Sequence, residues 1–325
     1  MAGKCSEPSC FPDDTGCNVE GCDKVTDCKY YNKGSIHDNQ NIIEEDEYML
    51  RIPWTANSLG LEDLNYITAS TSTVLIGITG VANAGKSTFL ALLYCLLRHG
   101  DKIGDFRFSG SKTLVGWENI AWYLSWKTNN DIQFPPHTSS NSGRVPGLLH
   151  LTLRNSSGIK KDLVFTDAPG EWFDKWAYSK DDVNAEGANW IHDNADAFLL
   201  FADCELLQGE EQGKSRRQIR LVAERLSEGL RNRPLGLVWS KSDVDLDGDM
   251  RKQLTSYMGR FNNLHYGEFS VSIKEDDEKN FHSNILKSIE WILVKLENNS
   301  NPKITVPIYK NEDLFISKRS YNGAK

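Results

Sequence analysis

Between Gly80 and Ser87 the chain reads Gly-Val-Ala-Asn-Ala-Gly-Lys-Ser, an ungapped G-x-x-x-x-G-K-[ST] run. Glycines at both ends let a backbone wrap an anion. Successive N–H groups and a helix N-terminus then face the negative charge. In such a loop Asn83, Ala84, Gly85, Lys86, Ser87 and Thr88 line a polyphosphate. Lys86 is placed to reach the β- and γ-phosphates and the Ser87 hydroxyl to ligate Mg²⁺. The context suits this chemistry, because the β-branched run TVLIGITG precedes the loop and a helical pattern follows it.

Three further clusters follow in the order that nucleotide chemistry requires. Asp167-Ala168-Pro169-Gly170 ends the apolar run DLVFT; Asp167 can hold Mg²⁺ and the Gly170 N–H can meet a γ-phosphate. Ser240-Lys241-Ser242-Asp243 follows LGLVW. A carboxylate at Asp243 can accept both guanine N1–H and N2–H, a donor pair that adenine lacks, while the Lys241 stem lies against the base. Ser272-Ile273-Lys274 follows GEFSV, and its backbone is expected beneath the base. A threonine that closes on Mg²⁺ should precede LLHLTLR; Thr138 in PPHTSSNSGR is the candidate, with Ser139 and Ser140 as neighbouring substitutes. Hydrolysis needs a group to orient water. Glu171, directly after Gly170, can do so, and Lys86, Thr138 and Glu171 form the expected catalytic set. Arg144 is a possible arginine finger in cis, though it and His137 also read as ordinary surface or structural residues.

The elements that would carry these residues alternate. Strands are expected at TVLIGITG, FRFSGS, LLHLTLR, DLVFTD, DAFLLFAD, PLGLVWSK and GEFSVSIK, with LLHLTLR and DLVFTD as an antiparallel hairpin. A short helix is expected in SLGLEDLNYITAS, through Leu61, Leu64 and Ile67. Longer ones follow at Lys86 to Arg98, at TLVGWENIAWYLSWK presenting Leu114, Trp117, Ala121 and Leu124, near 211–230, at 247–260, and at 281–297. Alternation of this kind predicts an α/β fold, a three-layer sandwich around a mostly parallel central sheet.

Ahead of it lie five of the seven cysteines, Cys5, Cys10, Cys17, Cys22 and Cys28. Clustered thiols in a segment too short for a core are explained by a structural Zn²⁺ that supplies the folding energy. Cys5, Cys10, Cys17 and Cys28 are the favoured ligands and Cys22 the spare; the other reading is a thiol-bearing tail. Cys95 and Cys204 fall within helix and strand patterns as core residues. The resulting organisation is a Cys-rich zinc-binding head over 1–34, a linker and short helix over 35–72, a nucleotide-binding domain over 73–300 with an insert near 101–137, and a tail over 301–325.

Composition narrows the class further. Hydrophobic residues at 39% and charged residues at 25% fit a globular chain, and no run suits a membrane span. The N-terminus has no apolar signal region, so a cytoplasmic location is expected. A formal net charge of −8 argues against general binding to nucleic acid or anionic membranes.

The ordered set GVANAGKS, DAPG, SKSD and SIK resembles the translation-factor-related class of P-loop GTPases. More narrowly, CSEPSC…GCNVEG, IPWTANSL, NAGKSTFL, FRFSGSKTLVGWE, PPHTSS, GLLHLTLR and DAPGEWF resemble the bacterial double-GTPase group, its second type. That resemblance runs to about Leu296. It implies a GTP-hydrolysing switch in a bacterial conflict or anti-phage system, using Mg²⁺ and acting beside a partner GTPase or effector protein. The insert's aromatics, Trp117, Trp122, Tyr123 and Trp126, are then candidates for partner contact, although aromatic helix faces also form cores. Three departures from the class pattern matter. Ser240 stands where Asn is usual, Ile273 where Ala is usual, and Glu171 where Gln is frequent. The Glu171 charge repels a γ-phosphate, so slow turnover or a nucleotide-binding scaffold without useful hydrolysis are both compatible with it. A P-loop ATPase gains from Ser240 but conflicts with Lys241 and Asp243.

Overall fold

The computed structural model describes residues 4–5, 30–32, 57–69, 71–125, 146–260, 266–274 and 279–299. The chain divides into two compact units, Met1–Ile52 and Pro53–Lys325, and the division falls inside the span assigned to the linker. In the first unit, β1 (Lys4–Cys5) pairs antiparallel with β2 (Tyr31–Asn32), Cys5 opposite Tyr31. Cys10, Cys17, Cys22 and Cys28 lie outside the described residues. Among the described residues no group of three His, Cys, Asp or Glu side chains is placed to hold a metal ion.

The second unit is built on one seven-stranded sheet. In chain order its strands are β3 (Thr73–Thr79), β4 (Arg107–Gly110), β5 (Gly147–Arg154), β6 (Lys160–Asp167), β7 (Ala197–Asp203), β8 (Leu235–Ser240) and β9 (Tyr266–Ser270). They lie side by side as β4-β5-β6-β3-β7-β8-β9. The five strands from β6 to β9 in that order run parallel, and β4 and β5 form an antiparallel edge. The expected hairpin is present, with Gly147 opposite Asp167 and Arg154 opposite Lys160.

Because side chains alternate along a strand, these apolar runs bury both faces. On β7, Phe198, Leu200 and Ala202 join one core while Ala197, Leu199 and Phe201 join the other. The first core is covered by α1 (Leu61–Thr68), α4 (Gly170–Tyr178), α5 (Glu186–Asn194), α7 (Gln212–Ser227) and α8 (Gly248–Met258). The second is covered by α2 (Lys86–His99), α3 (Leu114–Trp122) and α9 (Phe281–Asn299). Among them α9 buries Ile285, Ile289 and Ile292, with Leu296 partly buried beside them. No described helix is long and apolar enough to cross a membrane.

Several elements differ from expectation. The sequence pattern gave no helix between Gly170 and Asn194, yet α4 and α5 lie there. Trp172, Phe173, Trp176 and Ala177 recur at helical spacing and are all buried, so the signal was present in an aromatic-rich stretch. Helix α3 ends at Trp122, with Leu114 at its head standing 44% exposed instead of facing the core. Trp117, a candidate for partner contact, is 0% exposed; its ring stacks on Tyr94 and meets Phe165 edge-on. It is core. Trp122 is 57% exposed, Tyr123 half-buried, and Trp126 lies outside the described residues. Cys204 is buried as expected, and Cys95 half-buried.

Candidate nucleotide site

Parallel strands place their C-terminal ends along one edge of the sheet, where α/β folds collect ligands. Thr79, Asp167, Asp203, Ser240 and Ser270 end β3, β6, β7, β8 and β9 on that edge. The sequence motifs are therefore brought to one rim by the topology itself. Strand β3 sits between β6 and β7, so the loop leaving it lies at the centre of that rim.

The loop from Gly80 to Gly85 turns through three left-handed residues, Gly80 (φ 142°), Asn83 (φ 61°) and Gly85 (φ 78°). Asn is among the non-glycine residues that tolerate this region. At Gly80 a side chain is doubly barred, because a Cβ would meet Phe201 Cβ at 3.0 Å. Gly85 heads α2, and no side chain caps that helix. Its first-turn N–H groups are thus presented to the loop's concavity. Asn83 is exposed, Ala84 buried, and Ser87 and Thr88 half-buried in the first turn.

Lys86 is 8% exposed and folds back into the loop, donating to Gly80 O at 3.0 Å and Val81 O at 2.8 Å. Burial lowers its pKa to about 8, against the opposing pull of Asp167, Glu171 and Asp174. Ser87 Oγ donates to Asp167 Oδ1 at 3.3 Å, which joins the first turn of α2 to the end of β6. The hydroxyl and the carboxylate are hard oxygen donors converging beside a phosphate-type loop, a set that fits Mg²⁺. Gly170 begins α4 directly against the loop, and a Cβ there would lie 2.1 Å from Ala82 N. Glu171 follows on the exposed side of that helix. Thr138, Ser139, Ser140, Arg144 and His137 lie outside the described residues.

Asp243, Ser272 and Lys274 form a second cluster. Asp243 Oδ1 accepts from Ser272 Oγ at 2.6 Å, and Asp243 Oδ2 pairs with Lys274 Nζ at 2.9 Å. Burial pushes the Asp243 pKa up, but these two partners outweigh it and the net shift is downward, so the group stays a carboxylate. Ser272 Oγ also accepts the Lys274 N–H at 3.1 Å, and the Ile273 carbonyl is met by His282 Nε2 at 3.0 Å. Ser240 joins this cluster to the phosphate loop: its Cβ lies 3.5 Å from the Cβ position of Gly85. The small serine fits that contact while its hydroxyl donates to Ala202 O at 3.3 Å.

The family model described as Double-GTPase 2 matches residues 74–292, from the start of β3 to the middle of α9. The chain belongs to this family. No curated protein matches the chain. The double-GTPase 2 domain thus contains the whole rim just described.

Three acidic residues of this domain escaped the sequence reading. Asp174 lies one helical turn beyond Gly170, half-buried, and accepts from Gln218 Nε2 at 3.4 Å. Burial raises its pKa, while Lys86 and Lys214 pull the other way. An i, i+4 spacing from the DxxG glycine was its only signal. Asp203 ends β7 and Glu205 lies two residues beyond it, and both pair with Lys241 Nζ at 2.8 Å. Burial works to lower the Lys241 pKa, but the two ion pairs outweigh it and raise it. Nothing in their spacing linked them to Lys241; only the β7–β8 register, Asp203 opposite Ser240, brings them together.

The insert is fastened to the same hairpin that ends in Asp167. His150 on β5 accepts the Lys112 N–H on Nδ1 at 3.0 Å, and its carbonyl accepts from Ser111 Oγ at 2.6 Å and Trp117 Nε1 at 2.8 Å. His150 Nε2 faces Asp162 Oδ1 at 3.2 Å. Burial alone would raise the Asp162 pKa, yet bonds from His150, Thr152 and Thr71 hold it near about 2.

Proposed function

We propose that this chain binds GTP with Mg²⁺ and hydrolyses it slowly, acting as a switch that a partner protein accelerates. The observation that carries the reading is the single rim on which the left-handed Gly80–Gly85 loop, ahead of an uncapped helix, stands beside the Asp243 carboxylate fixed by Ser272 and Lys274. The backbone of Asn83 to Thr88 with Lys86 would hold the phosphates. Ser87 and Asp167 would hold the metal, joined by Thr138. Bound there, Mg²⁺ would offset charge on the phosphate oxygens. Asp243 would accept the guanine donors, with Ser272 and Lys274 fixing its carboxylate and Lys241 covering the base. Glu171, on the exposed face of α4 near Lys86, would orient the attacking water, and the Gly170 N–H would meet the terminal phosphate.

The experiment is GTP and ATP binding and turnover measured side by side on the wild-type chain and on Asp243→Asn. The reading requires preference for GTP, and Asp243→Asn must erase it while leaving ATP binding as it was. Equal affinity for ATP in the wild type would overturn the guanine assignment.

A second reading, a nucleotide-holding scaffold, draws support from Glu171 at the place where a neutral amide is frequent. Its charge lies close enough to affect Lys86 and would oppose a terminal phosphate. Zero turnover with every candidate partner would favour it. The family resemblance supports a role in bacterial conflict or anti-phage defence, alongside a partner GTPase or effector. Loss of protection in cells carrying Lys86→Ala is the outcome this role requires. For the Cys-rich head we infer a structural Zn²⁺ on Cys5, Cys10, Cys17 and Cys28, supported by the clustered thiols. Metal analysis giving under about half an equivalent would count against it.

A further inference from the structure

Asp203 is 1% exposed, and a carboxylate so far from water is stable only with partners for both oxygens. Oδ1 accepts the N–H groups of Glu205 at 2.9 Å and Leu206 at 3.3 Å, which caps the short α6 (Cys204–Gln208). The cap uses that one oxygen. Oδ2 faces Lys241 Nζ at 2.8 Å. Glu205 Oε2 reaches the same ammonium at 2.8 Å, although the Glu205 side chain is 64% exposed. Lys241 also has a backbone φ of 51°, a left-handed conformation that lysine adopts rarely. Its backbone and its ammonium are thus both fixed, and the four-carbon stem is strung between them. Asp243, held by Ser272 and Lys274, is two residues further on.

We propose that Asp203 and Glu205 are positioning residues for guanine: by anchoring the Lys241 ammonium they stretch its stem into a preformed wall for the base beside Asp243. The proposal rests on the guanine reading above. A free lysine would lose its rotamer freedom when a base packed on it, whereas an anchored one has already lost it on folding. The clamp also supplies what Ser240 cannot. Its short side chain reaches Ala202 O and leaves the ordering of the loop to its neighbours.

The test measures GDP and ADP affinities by titration calorimetry on Glu205→Gln, Asp203→Asn, Lys241→Met and the double variant of Lys241→Met with Glu205→Gln. Glu205→Gln should weaken GDP binding about three-fold, in line with an exposed ion pair, with the melting temperature unchanged. Asp203→Asn should weaken it by about ten-fold, since its pair is buried. ADP affinity should stay constant throughout. In the Lys241→Met background, which keeps the stem but not the charge, Glu205→Gln should have no further effect. Unchanged GDP affinity in Glu205→Gln and Asp203→Asn would overturn the positioning role while leaving guanine recognition standing. An equal loss from Glu205→Gln with and without the ammonium would also overturn it. Equal wild-type affinity for GDP and ADP would instead remove the guanine reading, and the positioning role with it.

Discussion

Gly170 packs so closely on Ala82 that a Cβ would sit 2.1 Å from its backbone nitrogen and 2.4 Å from its Cα. Both contacts are backbone, so no side chain can swing aside. A Gly170→Ala substitution must therefore part α4 from the phosphate loop. Overpacking of this kind costs about 1–3 kcal/mol. We expect a lower urea midpoint together with GTP turnover reduced by about ten-fold or more, since α4 also carries Glu171. Full turnover in a stably folded Gly170→Ala variant would show that this contact is not part of the working site.

Glu171 separates the switch reading from the scaffold reading. It is exposed, so its removal should leave stability within about 0.5 kcal/mol. If it orients water, Glu171→Ala should slow single-turnover GTP hydrolysis by about ten-fold to a hundred-fold, with GDP affinity little changed. Glu171→Gln keeps the hydrogen-bonding reach and removes the repulsion, so it should match or exceed the wild type. Identical rates in all three proteins would remove Glu171 from the mechanism.

The rim was legible because each of its motifs is local: GVANAGKS, DAPG, SKSD and SIK are each read within eight residues, and strand alternation then aligns them. The residues that sequence did not reveal act across the fold. Asp203 reaches Lys241 only through the β7–β8 register, and Lys112 reaches His150 only because β4 pairs with β5. Trp117 was ambiguous for the same reason, since a tryptophan on a helix reads alike whether it meets solvent or Tyr94 and Phe165. Helix α4 was hidden differently. Its aromatic face follows the DxxG turn without a break, so the turn chemistry masked the helical period.

Trp117 and Trp122 should behave oppositely. Trp117 is fully buried and its indole N–H donates to His150 O at 2.8 Å, so truncation removes packing and one of the hydrogen bonds to a carbonyl that Ser111 Oγ also serves. Trp117→Ala should cost about 3–5 kcal/mol in urea unfolding. Trp122, at 57% exposure, should cost under about 1 kcal/mol when changed to Ala. A partner that binds the insert should lose affinity in Trp122→Ala, and equal destabilisation of the two variants would contradict the packing described.

If Lys86 holds the phosphates as proposed, nucleotide affinity should depend on pH in a definite direction. The Lys86 pKa is about 8, below the usual 10.5, because burial disfavours the ammonium. Between those values the unfolded chain holds this proton more firmly than the folded one. Stability of the nucleotide-free protein therefore gains from this group as pH rises from about 8 to 10.5, and lacks that gain below about 8. Phosphates bound there would reverse the preference by stabilising the charged lysine, so the complex should retain the proton through the same range. GTP affinity should be flat up to about pH 8 and then fall toward ten-fold per pH unit, with proton uptake on binding that calorimetry in two buffers would register. Lys86→Met should abolish both the proton uptake and most of the affinity, and should flatten the alkaline rise in stability of the empty protein. An affinity that is level from about pH 7 to about pH 9, with no proton taken up, would mean that Lys86 is already fully charged before the phosphates arrive.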